Sequence, residues 1–219
     1  MGTIKLDNYV LILRGENVLS FLNGISTNLV EASCTTVLTD KNAKIIDMID
    51  VIDKGDFSAI IGYNGFKDSV LKHLSSRILG DGISIFDVSD SNSVYYSTEQ
   101  LDVPNGVTEH ISFIGRLYVV PKNVEFYESL TEKEFDQYRV DNTIPLQGKE
   151  IVQNLHPLAC GLGDLVHEAK GCYIGQEILA RMRSRGKQGK ELLKLSNPVD
   201  DATTVGEVYS LAIRRISLT

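Results

Sequence analysis

The sequence predicts an α+β fold, and three observations carry that expectation. Apolar and β-branched runs cluster between single amphipathic helices instead of alternating with them one for one. No period recurs along the chain, and no low-complexity tract interrupts it. From Asn142 to Gly171 there is no clear helical or strand period, and Pro145, Pro157, Gly148, Gly161 and Gly163 break up any long element. A stretch of that length without regular structure, inside a compact chain, usually carries function.

The elements follow in order. Tyr9 to Leu13 is an unbroken apolar run and reads as a buried strand. Glu16 to Asn23 places Val18, Leu19, Phe21 and Leu22 for a short amphipathic helix, with Gly24 as its stop. Ile25 to Val30 is a further helical turn or a loop. Cys34 to Thr39 is β-branched and reads as a strand, and Asp40 to Lys44 is turn chemistry. Ile45 to Ile52 is ambiguous: Asp47, Asp50 and Asp53 recur every three residues as on a helix, while their β-branched neighbours favour a strand. The turn before it decides for the strand. Lys54-Gly55-Asp56 then turns the chain into a third strand, Phe57 to Ile61. Phe66, Val70, Leu71, Leu74 and Ile78 share one face of a helix from about Asn64 to Leu79, stopped by Gly80-Asp81-Gly82. Ile83 to Val88 and Val94 to Tyr96 are short strands, and Gln100 to Gly106 is a loop. Phe113 to Val120 is a strand pair or one strand broken at Gly115. Thr131 to Val140 is a helix with Thr131 as N-cap and Glu134 in the capping-box position. Gln176 to Arg185 reads as the last helix, ended by Gly186. Lys190 to Ser196 and Val205 to Leu218 supply two or three closing strands.

With 219 residues, 42% of them hydrophobic and 23% charged, the chain can bury a sizeable core as one large domain or one domain with a small appendage. A formal charge of −7 argues against a general nucleic-acid binder and leaves room for a local basic patch. No apolar run approaches the roughly 18 residues of a membrane span. Met1 to Tyr9 lacks the cationic start and apolar core of a signal peptide, and Leu6 stands where a myristoylation motif needs Ser or Thr. A cytoplasmic protein without membrane or direct nucleic-acid partners is expected. Three cysteines, an odd number, read as reduced thiols and not as a disulfide framework.

Chemistry concentrates in Lys170-Gly171-Cys172-Tyr173-Ile174-Gly175-Gln176-Glu177, where a thiol, an ammonium, a phenol, an amide and a carboxylate crowd a glycine-punctuated turn. Cys172 precedes a helix start near Gly175. The partial positive charge of a helix N-terminus and the nearby Lys170 both favour a thiolate. Cys172 is thus the reactive-thiol candidate, with a small buried filler as the alternative; Cys34 reads as filler and Cys160 is open. Glu177 and Arg181 are four apart in the favourable helical orientation and read as an exposed pair. Arg181, Arg183, Arg185, Lys187 and Lys190 form a basic run, either a solvated face or a contact for an anionic ligand. His156, Cys160, His167 and Cys172 lack the spacing that sets two metal ligands on one turn. No serine elbow, P-loop or dinucleotide fingerprint is present.

The signature Lys170 to Glu177 resembles the hallmark of the YgfZ family of folate-binding proteins, relatives of the T-protein (aminomethyltransferase) of the glycine cleavage system. Gly15 to Val30, with Thr27-Asn28, resembles that family's first helix and Thr-Asn-Asp motif. Asp40 to Lys44 resembles its Asp-x-x-Gly-Lys hairpin, Arg139-Val140-Asp141 to Pro145 its Arg-x-Glu-x-Gly-x-Pro, and Val205 to Val208 a strand of its C-terminal barrel. The resemblance covers nearly the whole chain. It implies a ring-like α+β fold with a central channel for a tetrahydrofolate. It also implies a role in assembling or repairing iron–sulfur client proteins, with an effect on tRNA thiolation enzymes in some members. Cys172 and Lys170 take the family's thiol and lysine positions as catalytic candidates. Asp141, one methylene shorter than the family's glutamate, would hold the pterin, since a carboxylate can accept two parallel N–H bonds from an amino-pyrimidine edge. Asn28, Tyr173, Gln176, Glu177 and Arg181 complete the cofactor-binding candidates, and no metal ligand is among them.

Two departures from the family bear on function. Leu29 follows Thr27-Asn28 where the T-protein has its catalytic aspartate, and a leucine cannot act as a base or orient folate nitrogens. That weighs against aminomethyl transfer. Only some thirty residues follow Gly186, so residues 1–186 are expected to form the folate-binding domain and residues 187–219 a shortened remnant of the C-terminal barrel. A non-catalytic interaction protein that keeps the fold is the remaining alternative.

Overall fold

A computed structural model describes residues 2–78, 80, 82–186 and 189–215. The elements are β1 (Thr3–Leu6), β2 (Asn8–Arg14), α1 (Val18–Ile25), β3 (Cys34–Thr39), β4 (Ile45–Asp53), β5 (Ser58–Tyr63), α2 (Lys67–Ser75), β6 (Ser84–Asp87), β7 (Asn92–Ser97), β8 (Thr108–Ser112), β9 (Gly115–Pro121), α3 (Glu132–Asn142), α4 (Gln176–Ser184), β10 (Lys190–Ser196), β11 (Thr204–Val205) and β12 (Tyr209–Arg215). The fold is mixed and rich in sheet. One sheet runs β3-β4-β5-β2-β6, a second β1-β7-β9-β8 and a third β10-β12-β11. The described residues divide into two compact units, the first within 2–21, 30–35 and 49–135, the second within 22–29, 36–48 and 136–215. No helix among the described residues is long and apolar enough to cross a membrane.

In the first unit β2 pairs antiparallel with both β5 and β6, Tyr9 opposite Gly62 and Ile12 opposite Phe86. The β1-β7-β9-β8 sheet is antiparallel throughout, with Thr3 opposite Ser97, Tyr95 opposite Tyr118 and His110 opposite Leu117. Of the expected Phe113–Val120, only the part from Gly115 on is strand; Phe113 and Ile114 make the turn, and the partner strand β8 lies before it, at Thr108–Ser112. Thr-Glu-His-Ile-Ser holds a single apolar residue, so an edge strand there has no sequence signature. Gly115 has φ +134°, and a Cβ on it would lie 2.7 Å from the Tyr96 hydroxyl oxygen. β1 was likewise not expected, being only four residues long. Buried Asp50 accepts hydrogen bonds from Thr35 Oγ1 (2.5 Å) and Ser112 Oγ (3.0 Å) and lies 3.1 Å from His110 Nε2. Asp47 and Asp50 are three apart on a strand and so face opposite sides, and both are buried. A strand covered on both faces does not alternate, which is why β4 looked ambiguous.

The helix boundaries differ in instructive ways. α1 continues through Gly24 to Ile25, because Ser26 Oγ bonds back to Leu22 O at 2.7 Å and closes the last turn one residue later. α2 ends at Ser75, earlier than the apolar stripe suggested, and Asn64–Phe66 before it is a 3-10 turn. The expected end at Leu79, and Asp81 in the stop, lie outside the described residues. At α3 the capping box forms: Glu134 Oε2 accepts from the Thr131 N–H at 2.8 Å, and the Glu134 N–H donates to Thr131 Oγ1 at 3.3 Å.

In the second unit β10 and β12 pair in register from Lys190 opposite Arg215 to Ser196 opposite Tyr209, and β11 adds two residues on the other side of β12. The expected closing strand therefore divides at the Gly206 turn; Leu218 lies outside the described residues. Leu192 and Leu211 from this sheet pack on Val140 of α3. Arg139, with no exposed surface, donates from Nη1 to Glu150 Oε2 (2.8 Å) and Ile144 O (3.0 Å), and from Nη2 to Asp136 Oδ1 and Thr204 Oγ1 (both 2.8 Å). Glu150, equally buried, accepts at Oε1 from Thr203 Oγ1 (2.7 Å) and Thr204 Oγ1 (2.6 Å), and at Oε2 also from Leu146 N (3.1 Å). Each buried charge is thus matched by hydrogen bonds, the condition under which burying one is tolerated.

Candidate functional site

The signature occupies the extended turn that leads into α4. Gly175 is the N-cap of that helix, with φ +85°. A Cβ there would meet Asp40 O at 2.8 Å and Ala43 Cα at 3.0 Å, so the turn lies directly against the β3–β4 hairpin loop. Thr39 Oγ1 donates to Ile174 O at 2.6 Å and fixes that approach. Behind it Tyr173, Leu179, Ile178 and Met182 pack with Ala43, Leu158 and Val166. Burying one such leucine contributes roughly 1.5–3 kcal/mol, so α4 is anchored through its apolar stripe and presents its polar face outward.

Lys170 is the most constrained residue of the signature. It is only 8% exposed, and its ammonium donates to Asn23 O (2.6 Å), Ser26 O (2.8 Å) and Asn28 O (2.6 Å). The Tyr173 ring centroid lies 5.2 Å from Nζ, within cation–π range. Tyr173 is itself buried, and burial pushes its hydroxyl above the usual tyrosine value against a smaller opposing effect of Arg183. Gln176 Nε2 reaches Lys170 O at 3.5 Å. The structure therefore joins Lys170, Asn28, Tyr173 and Gln176 directly. Cys172, between them in sequence, is exposed. Cys34 is half-buried. Cys160 has no exposed surface, and burial pushes its thiol up to about 12, which makes it filler.

The other candidates stand apart. Glu177 and Arg181 pair with each other at 3.1 Å on the exposed side of α4, as their spacing suggested. Asp141 sits in the last turn of α3, exposed. Its Oδ1 accepts from Gln137 Nε2 at 2.9 Å, and its carbonyl accepts from Lys194 Nζ at 2.8 Å. Its hydrogen bonds do not run to the signature. The basic run is partly neutralised, since Arg183 donates to Glu168 Oε1 at 3.0 Å and to Gly163 O at 2.5 Å; Lys187 lies outside the described residues.

Two features had no sequence signal. A cavity of about 380 Å³ opens beside the signature, lined by Val166, His167, Glu168, Tyr173, Gln176, Ala180, Arg183 and Ser184. The carbonyls that receive Lys170 come from a segment more than 140 residues earlier. Thr27, noted for its place before Asn28, is fully buried and donates to Leu165 O at 2.6 Å. His156 and His167 each use Nδ1 locally, accepting from Ala159 N at 3.2 Å and Ala169 N at 3.1 Å. Among the described residues no three His, Cys, Asp or Glu side chains gather as metal ligands.

No family model and no curated protein matches this sequence. Solved structures do match. The fold is similar to that of glycine cleavage system aminomethyltransferase T from Bartonella henselae, with a TM-score of 0.76 and 12% identity, over 97% of this chain and 78% of that one. The chain therefore has an aminomethyltransferase-T-like fold. At that identity the likeness concerns the fold alone.

Proposed function

We propose that this chain is a tetrahydrofolate-binding accessory protein of iron–sulfur cluster assembly or repair, of the YgfZ type. One observation carries the reading: the signature turn and the Thr27-Asn28 loop, two of the motifs behind the resemblance, are tied together by Lys170. The aminomethyltransferase-like fold supports a folate-type ligand. In this reading Asp141 holds the pterin, and Asn28, Tyr173, Gln176, Glu177 and Arg181 line the approach to it. Cys172, exposed on its turn, is the group that meets an iron–sulfur client protein. Residues 1–186 carry the folate site, and residues 187–219 form a C-terminal β appendage to it.

Calorimetric titration with tetrahydrofolate tests the ligand. Saturable binding is expected, weakened about tenfold or more in Asp141→Ala, the size of a lost charge-assisted bond. Absence of heat at millimolar ligand removes the reading. In the host, Cys172→Ala should impair iron–sulfur enzymes while folate binding survives; unimpaired enzymes would exclude the thiol role. The fold favours a second reading, tetrahydrofolate-dependent aminomethyl transfer. Leu29 in the aspartate position counts against it, and methylene-tetrahydrofolate formed from an aminomethylated lipoyl carrier would establish it.

A further inference from the structure

We propose that Lys170 is a positioning residue: it fastens the Asn23–Asn28 segment to the signature turn and does not act on the Cys172 thiol. An ammonium has three N–H donors and no acceptor. Lys170 directs them to three carbonyls, at 2.6, 2.8 and 2.6 Å, with 8% of its surface exposed. Three acceptors call for the ammonium, since a neutral amine has only two N–H. Asn23 belongs to the last turn of α1, and Ser26 and Asn28 to the loop after it. The last carbonyls of a helix lack intrahelical donors, and its C-terminus is partially negative. A buried cation placed there meets both needs. The ring of Tyr173 lies against the same ammonium.

The loop so fastened is also held from its other side. Thr27 N donates to Val37 O at 2.9 Å, Asn28 N to Thr36 Oγ1 at 2.9 Å, and His167 N to Thr27 O at 3.0 Å. Lys170 adds the link from this loop to the turn that bears Cys172. The sequence reading set Lys170 beside Cys172 as a charge that favours the thiolate. In the structure its three donors point at backbone carbonyls, and the thiol two residues on is exposed. The inference concerns the same site as the proposed function but not its ligand, so its test contains no folate.

The test compares wild type, Lys170→Met and Lys170→Arg in the full chain, by residue-resolved amide hydrogen exchange and by alkylation of Cys172 with iodoacetamide at pH 7. In Lys170→Met three carbonyls, that of Ser26 buried and those of Asn23 and Asn28 partly so, lose a donor, and the amides of Thr27, Asn28 and His167 should exchange about tenfold faster or more. Amides of β7 and β9 should keep wild-type rates, and Cys172 alkylation should stay within about twofold. Faster exchange spread evenly over the chain would reduce Lys170 to a general stabiliser. Unchanged exchange at residues 27 and 28, with alkylation slowed tenfold, would make it a thiol-tuning group; either result overturns the proposal. If Lys170→Met does not fold, Lys170→Arg carries the test. A planar guanidinium cannot aim donors at three carbonyls arranged for an ammonium, so exchange at Thr27 and Asn28 should still rise, and wild-type rates there would reject the positioning role.

Discussion

Replacing Glu150 with alanine removes the acceptor at which four donors of the second unit meet: Arg139 Nη1, Leu146 N, Thr203 Oγ1 and Thr204 Oγ1. Arg139 keeps Asp136, Ile144 O and Thr204 Oγ1, but its guanidinium stays fully buried and loses its buried counter-charge. Breaking a buried ion pair from one side costs about 3–5 kcal/mol. For a chain of this size that lowers Tm by roughly 2–4 °C per kcal/mol. Glu150→Gln separates charge from hydrogen bonding. Its amide oxygen can still accept from Arg139 and Leu146, while its NH₂ turns to the two threonine hydroxyls, which have lone pairs to accept it and, at Thr203, an alternative acceptor in Leu211 O at 3.0 Å. The glutamine variant should therefore lose about 1–2 kcal/mol, less than half the alanine loss. Thermal and urea unfolding followed by circular dichroism read both. An alanine variant within about 1 kcal/mol of wild type, or a glutamine variant as damaged as alanine, would refute the reasoning.

Two further predictions use other parts of the second unit. Gly175→Ala forces a side chain into φ +85° and into contact with Asp40 O at 2.8 Å. It should cost about 1–2 kcal/mol from the backbone alone, whereas Gly171→Ala, with open space around it, should be neutral or slightly stabilising; equal Tm shifts in the two variants would remove the close-approach argument. Burial by itself would raise the Asp136 carboxyl, but hydrogen bonds from Lys149 and Arg139 outweigh it and hold the group below its ordinary 3.8. A carboxyl lowered in the folded state stabilises above its unfolded value, and that stabilisation is lost as pH falls through the folded value. The Tm gap between wild type and Asp136→Asn should thus be widest at pH 7 and narrow by pH 3. A gap that does not change with pH would contradict the sign.

Much of the fold was legible because its signals are local. β3 stands where its β-branched residues placed it and β10 over the expected Lys190–Ser196, the Thr131–Glu134 box starts α3, and Gln176 starts α4. The misses share a cause. β1 and β8 are short edge strands whose pairing depends on partners far along the chain, and Gly24 did not stop α1 because a serine two residues later closes the turn. The site was legible as a chemical concentration but not as a geometry. Glu177 and Arg181 behave as their spacing implied. Lys170 was set beside the thiol by adjacency alone, and Glu150 had no signal at all, since a single acidic residue in an aperiodic stretch looks the same whether it faces water or a buried arginine.

By itself the sequence determined the mixed fold class, the position of the signature, the helix that follows it and the absence of an acid after Thr27-Asn28, because each depends on residues a few positions apart. The tertiary structure decided what those residues face. It turned the Lys170 ammonium to carbonyls more than 140 residues earlier, left Cys172 exposed and Cys160 buried, and set Asp141 on a different element from the signature. Burial and partnership are properties of segments brought together from distant parts of the chain, and no local pattern encodes them.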